Sequence, residues 1–543
     1  MYRLPIARTF LPLLTLLGSA TLAPAQAPAP AADTLRVNAR IVVLDITVTD
    51  KAGNLVDTLT QNDFTVLEDK VPQTIRSFEP PSAHVMPGSR PGQPVNLVHS
   101  AVDLPKIGNA PVTILVLDEL NTRFEDMSFG RNQLVKYLQA QSPVLTQPTA
   151  LLYASNTKFV ELRDYTQDRD TLINDVKKHL PEFPWRMMNG KHGPAAAERM
   201  AQTLASVEQV AQATTGTPGR KNVIWIGVGF PSSDLIGLDP TTAATIEAAF
   251  RRCTDMLLAA RITLYSINPT PNTTTTLDVE TPDDLDNAED ENGGQPFASP
   301  SSGLIQFSNF APATGGRAFL SRNDINNEIA EGIAAGADYY TLSYTPTSAS
   351  SDAAKYRNIR IVMKNPNLHA TTRNGYFPTT AAATPTAGEP PRQERAQLQL
   401  DLSNAVISTM SYNGLKLSAV KATANRLSGT TANGTAYTPI RGAEIYAITI
   451  SNAAPATAIN WRPAPDGKTE QAEATVLAAW YGPQNKLIGH TALELTATRP
   501  FGSSADAVFN MSVPLGAAHP DRLRLVVRDA VSGRMGTLDI PKP

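Results

Sequence analysis

Apolar and polar positions change rhythm along the chain, and the changes divide it into parts. Between Leu35 and Glu79 the apolar positions alternate: Val37, Ala39, Ile41 and Val43, then Leu44, Ile46 and Val48, the turn Asp50-Lys-Ala-Gly53, and the run Phe64-Thr-Val-Leu-Glu-Asp69. A period of two broken by Asp/Gly turns predicts antiparallel strands. Residues 80–108, rich in Pro, Gly and Ser over Pro80–Pro105, have the composition of a linker. From about residue 109 unbroken apolar runs alternate with stretches of helical period. The expected strands are Thr113–Leu117, Ala150–Ala154, Val223–Gly227 and Ile262–Ile267. The expected helices are Ser128–Gln141, Arg169–His179, Ala195–Gln212, Thr241–Ala260 and Ile325–Ala335. That alternation predicts, over 109–338, an α/β fold with a doubly wound, mostly parallel sheet and helices on both faces.

Strand patterning returns in Tyr339–Pro346 and Asn358–Lys364. The segments Leu35–Glu79 and Tyr339–Phe377 are each too short for a core of their own and bracket the α/β unit. We therefore expect them to pair as one β-sandwich-like unit into which the α/β unit is inserted. A second linker, rich in Thr, Ala and Pro, covers 378–395. Over 396–543, runs such as Ala443–Ile450, Ala472–Tyr481, Ala507–Val513 and Arg522–Arg528 recur at short spacing with almost no helical period, which predicts a β-sandwich. Within the α/β unit, residues 270–302 carry Asp283, Asp284, Asp286, Glu289, Asp290 and Glu291. They lack the alternating Asp spacing and distal Glu of a calcium loop, so this stretch reads as a solvated, mobile insertion.

Composition narrows the picture. A chain of 543 residues exceeds one core, and 43 Pro and 33 Gly favour turns and linkers over long helices. The net charge of −3, with Lys and Arg scattered, argues against a nucleic-acid partner. At the N-terminus, Arg3 and Arg8 precede the apolar run Phe10–Ala23 and the small-residue site Ala23-Pro-Ala25. This reads as a secretory signal over 1–25, with the mature chain starting near Gln26 in the periplasm or outside the cell. No later stretch is long enough to span a membrane. Cys253 is the only cysteine, which excludes an internal disulfide, and its neighbours Ile246, Phe250, Leu257 and Leu258 at helical spacing mark it as a core residue.

Candidate chemistry centres on Asp118, which ends the apolar strand Pro111-Val-Thr-Ile-Leu-Val-Leu-Asp118 and is followed by Glu-Leu-Asn-Thr122. In open α/β sheets ligands collect where such strands end. The plainer alternative is that Asp118 and Thr122 cap the following loop or helix. Gly227-Val-Gly229 imitates the start of a dinucleotide fingerprint, but Pro231 intrudes and Ser232 holds the third Gly position. The seven His residues have no zinc-hydrolase spacing, and no Gly-x-Ser-x-Gly elbow occurs.

The strand ending at Asp118, the helix behind it and Lys221-Asn-Val-Ile-Trp-Ile-Gly-Val-Gly229 together resemble a von Willebrand factor type A domain, whose first strand ends in Asp-x-Ser-x-Ser. The flanking strings are similar to type A-related exported proteins found in Acidobacteria. They are Asp45–Gly53, Leu59–Asp69, Pro218–Trp225, Ala313–Phe319, Tyr339–Pro346 and Arg373–Phe377. The resemblance implies type A (Rossmann-like) topology for 109–338, flanked by β-sandwich-like domains. It also implies a magnesium site in which Asp118 is the carboxylate ligand, Thr122 a hydroxyl ligand and Thr203 the hydroxyl from a second loop. Leu120 and Val228 stand where a Ser and an Asp ligand belong, so the motif is degenerate and the expectation is no cofactor. The resemblance supplies a fold and a compartment rather than a reaction; the function we expect is that of an exported, non-enzymatic protein-binding module whose Asp118, Glu119 and Asn121 face an unidentified protein partner in the envelope or outside the cell. The alternatives are an envelope hydrolase or a structural envelope protein.

Overall fold

The computed structural model describes residues 41–87, 97–155, 158–181, 194–230, 233–234, 240–270, 304–305, 307–320, 324–347, 356–377, 392–422, 430–431, 443–455, 457–464, 466–515 and 519–543. The signal segment 1–25, residues 271–302 of the acidic insertion and residues 378–391 of the second linker lie outside them. The alternation that opens the described chain buries one face of each strand. β1 (Val42–Thr49) turns Val42, Leu44, Ile46 and Val48 inward, and β2 (Phe64–Glu68) does the same with Phe64 and Val66. β3 (Val71–Gln73) and β4 (Ile75–Glu79) follow at short intervals.

The middle of the chain has a different texture because its strands are covered on both faces. β5 (Val112–Asp118) is buried at every position. Its Ile114 and Val116 join one core, and Leu115 and Leu117 the other. The other members of this sheet are β6 (Val144–Ala154), β7 (Phe159–Asp168), β8 (Lys221–Ile226), β10 (Ile262–Ile267) and β12 (Ala318–Phe319). β9 (Ser233–Asp234) and β11 (Leu304–Ile305) form a separate ribbon. The strand order is β12-β10-β8-β5-β6-β7. α1 (Phe124–Gln139), α2 (Arg169–Lys178) and α6 (Ile325–Ala337) supply side chains to the core that holds Leu115 and Leu117. α3 (Pro194–Thr214), α4 (Pro240–Ala259) and α5 (Phe310–Ala313) supply the opposite core. Residues 97–108, expected as linker, also pack there, with Val98, Leu104 and Ile107 buried.

The later strands return to the first ones. β13 (Tyr340–Tyr344) lies between β1 and β4, and β15 (His369–Thr371) extends β1. β14 (Arg357–Met363) joins β2 to β16 (Gly375–Tyr376). The two sheets share one core, from Val42 and Leu44 to Tyr340, Leu342 and Tyr344. A bidentate ion pair between Asp45 and Arg261 ties this core to the central sheet at 2.5 and 3.1 Å. Burial would raise the Asp45 carboxyl, but Arg261 beside it prevails and holds it below the usual carboxylate range.

At the C-terminal end, α7 (Arg392–Ile407) occupies a stretch expected as linker and then strand. Leu398, Leu402, Ala405 and Val406 recur at helical spacing and pack on the core that contains α3. β17 (Leu417–Ala422), β19 (Glu444–Ile450) and β23 (Ala507–Val513) form a three-stranded sheet. β18 (Thr430–Thr431), β22 (Leu487–Pro500), β21 (Thr469–Tyr481), β24 (Arg522–Asp529) and β25 (Met535–Pro541) form the larger sheet in that order, with β20 (Arg462–Pro463) paired to β21. Val476, Ala478 and Trp480 of β21 face the smaller sheet, whereas Leu477, Ala479 and Tyr481 face the core of α3 and α7. That double burial explains an unbroken apolar run in an antiparallel strand. At Gly216 a Cβ would lie 1.6 Å from the Asn413 carbonyl oxygen, so a side chain there would force the C-terminal part off α3.

The chain is a mixed α/β fold with several distinct sheets and mostly antiparallel strands, not the doubly wound, mostly parallel, Rossmann-like fold expected from its sequence. Only the pairings β5–β6, β5–β8, β8–β10 and β10–β12 are parallel among the described residues. The expectation rested on the apolar runs of the middle segment. Most strands lie elsewhere, in segments whose short connections favour antiparallel pairing. Among the described residues no helix is long and apolar enough to cross a membrane.

Candidate functional site

Asp118 is the last residue of β5, and the alternation of that strand turns its side chain to the α3 face, where it is 0% exposed. Its Oδ1 accepts the backbone N–H groups of Leu120 at 3.1 Å and Asn121 at 3.2 Å, and its Oδ2 accepts that of Gly229 at 2.7 Å. Burial pushes the Asp118 carboxyl up to about 7, against the pull of the bonds from Asn121 and Gly229. Thr122, also buried, accepts the N–H of Val228 on Oγ1 at 3.0 Å. Asn121 donates from Nδ2 to Thr203 Oγ1 at 2.9 Å, and Thr203 donates to the Arg199 carbonyl one turn back along α3 at 3.0 Å. The residues expected as metal ligands, Asp118, Thr122 and Thr203, are therefore linked in one hydrogen-bonded cluster.

The cluster depends on two glycines. Gly227 has φ +148°, and a Cβ there would come within 2.3 Å of Asp118 Cβ and 2.7 Å of Thr122 Oγ1. Gly229 has φ +76°, and a Cβ there would lie 2.0 Å from the Phe307 ring. The Gly-Val-Gly string that imitates a nucleotide fingerprint is thus required by close packing, of Gly227 against Asp118 and Thr122 and of Gly229 against Phe307. The signal was visible in the sequence, but its causes are neighbours far away along the chain.

Glu119 falls on the opposite face of the sheet. It is buried, and its Oε1 meets His179 Nε2 at 2.8 Å, with the Tyr153 ring 4.3 Å from the imidazole centroid. Arg131 donates from Nη2 to the carbonyls of Val176 and His179, fixing the end of α2 beside this pair. The pairing was not legible in the sequence, where His179 has no motif around it. The pair tethers the end of α2 to the end of β5. Of the residues expected to meet a partner, Asp118 and Glu119 are buried and Asn121 is half-buried. The exposed positions beside them are Arg123, Phe124 and Glu125 at the start of α1.

A divalent ion needs oxygen lone pairs converging on one point, with enough negative charge to offset dehydration. Here the lone pairs of Asp118 and Thr122 point at N–H groups, and two of those groups belong to Leu120 and Val228, the positions that depart from the type A motif. Burial without a second carboxylate also favours the neutral form of Asp118. These residues do not fit a magnesium ion.

No family model matches the chain, and no curated protein matches it. Among solved structures the chain is similar to proximal thread matrix protein 1 from the mussel byssus at 13% identity, over 30% of this chain and 38% of that one. The TM-score of 0.19 does not establish a shared fold.

Proposed function

We propose that the protein is an exported, non-enzymatic protein-binding module related to type A domain proteins, which works without a metal ion. The observation that carries this reading is the internal satisfaction of Asp118. Four backbone N–H groups on two loops take up the oxygens of Asp118 and Thr122, so the loops are held as a fixed surface. Preformed loops lower the ordering cost of binding a partner. The contact surface then lies at the exposed start of α1, around Arg123 and Glu125, while Asp118 and Asn121 position it from beneath.

Site-specific photocrosslinking tests this. A photoreactive residue at Arg123, compared with one at Lys468 in the turn before β21, is exposed to envelope proteins with and without a chelator. We expect a discrete partner adduct from position 123 alone, unchanged by the chelator and reduced when Arg123 is replaced by Glu in a competing copy. Equal labelling from both positions, or adducts that vanish with the chelator, would rule the reading out.

A further inference from the structure

β4 runs into a short 3-10 turn, Pro81–Ala83, where the usual order of burial is inverted. Ser82 and Ala83 are exposed and the apolar Val85 is 43% exposed, whereas the polar His84 beside it is 1% exposed. A core position ordinarily goes to the apolar neighbour, so this turn buries a titratable ring where a valine would need no hydrogen bond. The ring fills the joint between the first pair of sheets and the N-terminal ends of the central strands. It stacks on Tyr339, with centroids 4.3 Å apart and planes 11° from parallel. The Tyr339 hydroxyl in turn donates to the Asn109 carbonyl ahead of β5 and accepts the Arg220 backbone N–H ahead of β8.

The hydrogen bonds around the ring fix which nitrogen is free. Thr341 on β13 donates its hydroxyl proton to Asp45 Oδ1 at 2.9 Å, so its oxygen accepts from His84 Nε2 at 3.2 Å, as it does from Arg261 at 3.1 Å. The neutral ring therefore carries its proton on Nε2. Nδ1 is buried with no hydrogen-bond partner among the described residues, and it is where a second proton must go. The charged groups around the ring are Asp45 on β1, Glu79 at the end of β4, Arg261 after α4 and Arg220, whose guanidinium lies 5.3 Å from the Tyr339 ring centroid. Asp45 is already paired bidentately with Arg261, and Glu79, with Oε2 3.7 Å from Nε2, is 41% exposed. Neither offers an imidazolium a buried partner of its own.

We propose that His84 is an acid-sensitive pin, which seats the segment 80–87 in this joint while its imidazole is neutral and releases it when Nδ1 takes up a proton from solvent. Burial holds His84 below the usual histidine range, helped by Arg261 and opposed by Asp45, Glu79 and the Asn109 backbone. The ring thus binds its second proton more weakly when seated than when released. Seating is at full strength above about pH 6.5 and is lost as pH falls through the lower, seated value. Asp45 stays ionised through this window because Arg261 holds it low, and Tyr339, pushed up by burial, stays protonated. The other buried side chain of the turn, Pro81, carries no charge, and Met86 is only half-buried, so the imidazole is the part of the plug that acid changes. The device is independent of the reading given to Asp118.

The test is amide hydrogen exchange of the mature chain at about pH 7.5 and about pH 5, with rates corrected for the intrinsic effect of pH on exchange. The amides of Ala83 and His84, bonded to the carbonyls of Pro80 and Pro81 at 2.9 Å each, report release. Their protection should fall at least about tenfold at the lower pH in the wild type, while the amides of β13 hold theirs. His84→Phe keeps a ring against Tyr339 and cannot titrate, so its protection should be the same at both pH values. A proton NMR titration of the His84 imidazole in the wild type needs no variant, and its midpoint should lie below about 6.5. A midpoint at or above that value would overturn the proposal, as would unchanged protection in the wild type. An equal loss of protection in His84→Phe would overturn it too, and would pass the acid response to Glu79.

Discussion

At the scale of single residues, Asp118 does its work through what it accepts. Asp118→Ala removes the acceptor for three N–H groups, and leaving buried donors unpaired costs about 1–3 kcal/mol each before relaxation. We expect urea unfolding of this variant to show a loss of at least about 2 kcal/mol. Gly227→Ala places a methyl group against Asp118 and Thr122 in a backbone conformation that L-residues avoid. A loss of about 2–4 kcal/mol is expected from the clash and the strain together, and a variant within a few tenths of the wild type would refute this packing. The place of Asp118 at a strand end was legible in the sequence because an apolar run followed by a carboxylate is a local pattern. Its bonds to Gly229, and those of Thr122 to Val228, were not, because only the parallel neighbour β8 brings that loop to it.

At the scale of elements, regular periodicity was readable and broken periodicity was not. The strands expected at Thr113–Leu117, Ala150–Ala154 and Ile262–Ile267 lie within β5, β6 and β10, and the five helices expected in this region match α1 to α4 and α6 to within a few residues. β7 gave no signal, since Phe159-Val-Glu-Leu-Arg-Asp-Tyr is mixed in polarity and the bulges destroy its period of two. The same irregularity gathers Glu161 and Asp164. The raised Glu161 carboxyl binds its proton more tightly in the folded chain than in the unfolded one. Its contribution to stability is then full below the ordinary glutamate range and is lost as pH rises through about 7. Measured against Glu161→Gln, the wild type should lose on the order of 2 kcal/mol of relative stability between about pH 5 and about pH 8. Parallel pH profiles for the two proteins would contradict this.

At the scale of the whole molecule, the sequence suggested separable parts, and the structure joins them through buried polar contacts. Asp401 on α7 receives Arg252 of α4 at 2.6 Å and Arg528 of β24 at 3.1 Å, and Arg252 also meets Glu208 of α3 at 3.0 Å. Burial, opposed by Arg252, leaves Glu208 above the usual carboxylate range. Asp401→Ala leaves two arginines half-buried without their shared partner, and about 3 kcal/mol of unfolding free energy should be lost in urea titration. Such charges could not be paired from the sequence, because Arg252, Asp401 and Arg528 are brought together only when α4, α7 and β24 pack. The mixed, mostly antiparallel architecture escaped for a related reason: the most conspicuous apolar runs belong to the one sheet that is largely parallel.

The central claim is that the Asp118 cluster is a hydrogen-bonded scaffold and not a metal site. Calorimetric titration of the mature protein with magnesium and manganese, in the wild type and Asp118→Ala, tests it most directly. We predict that Asp118→Ala lowers stability and leaves divalent-ion binding as it is in the wild type. Micromolar binding that disappears in Asp118→Ala would contradict it and restore a metal-dependent mode of adhesion.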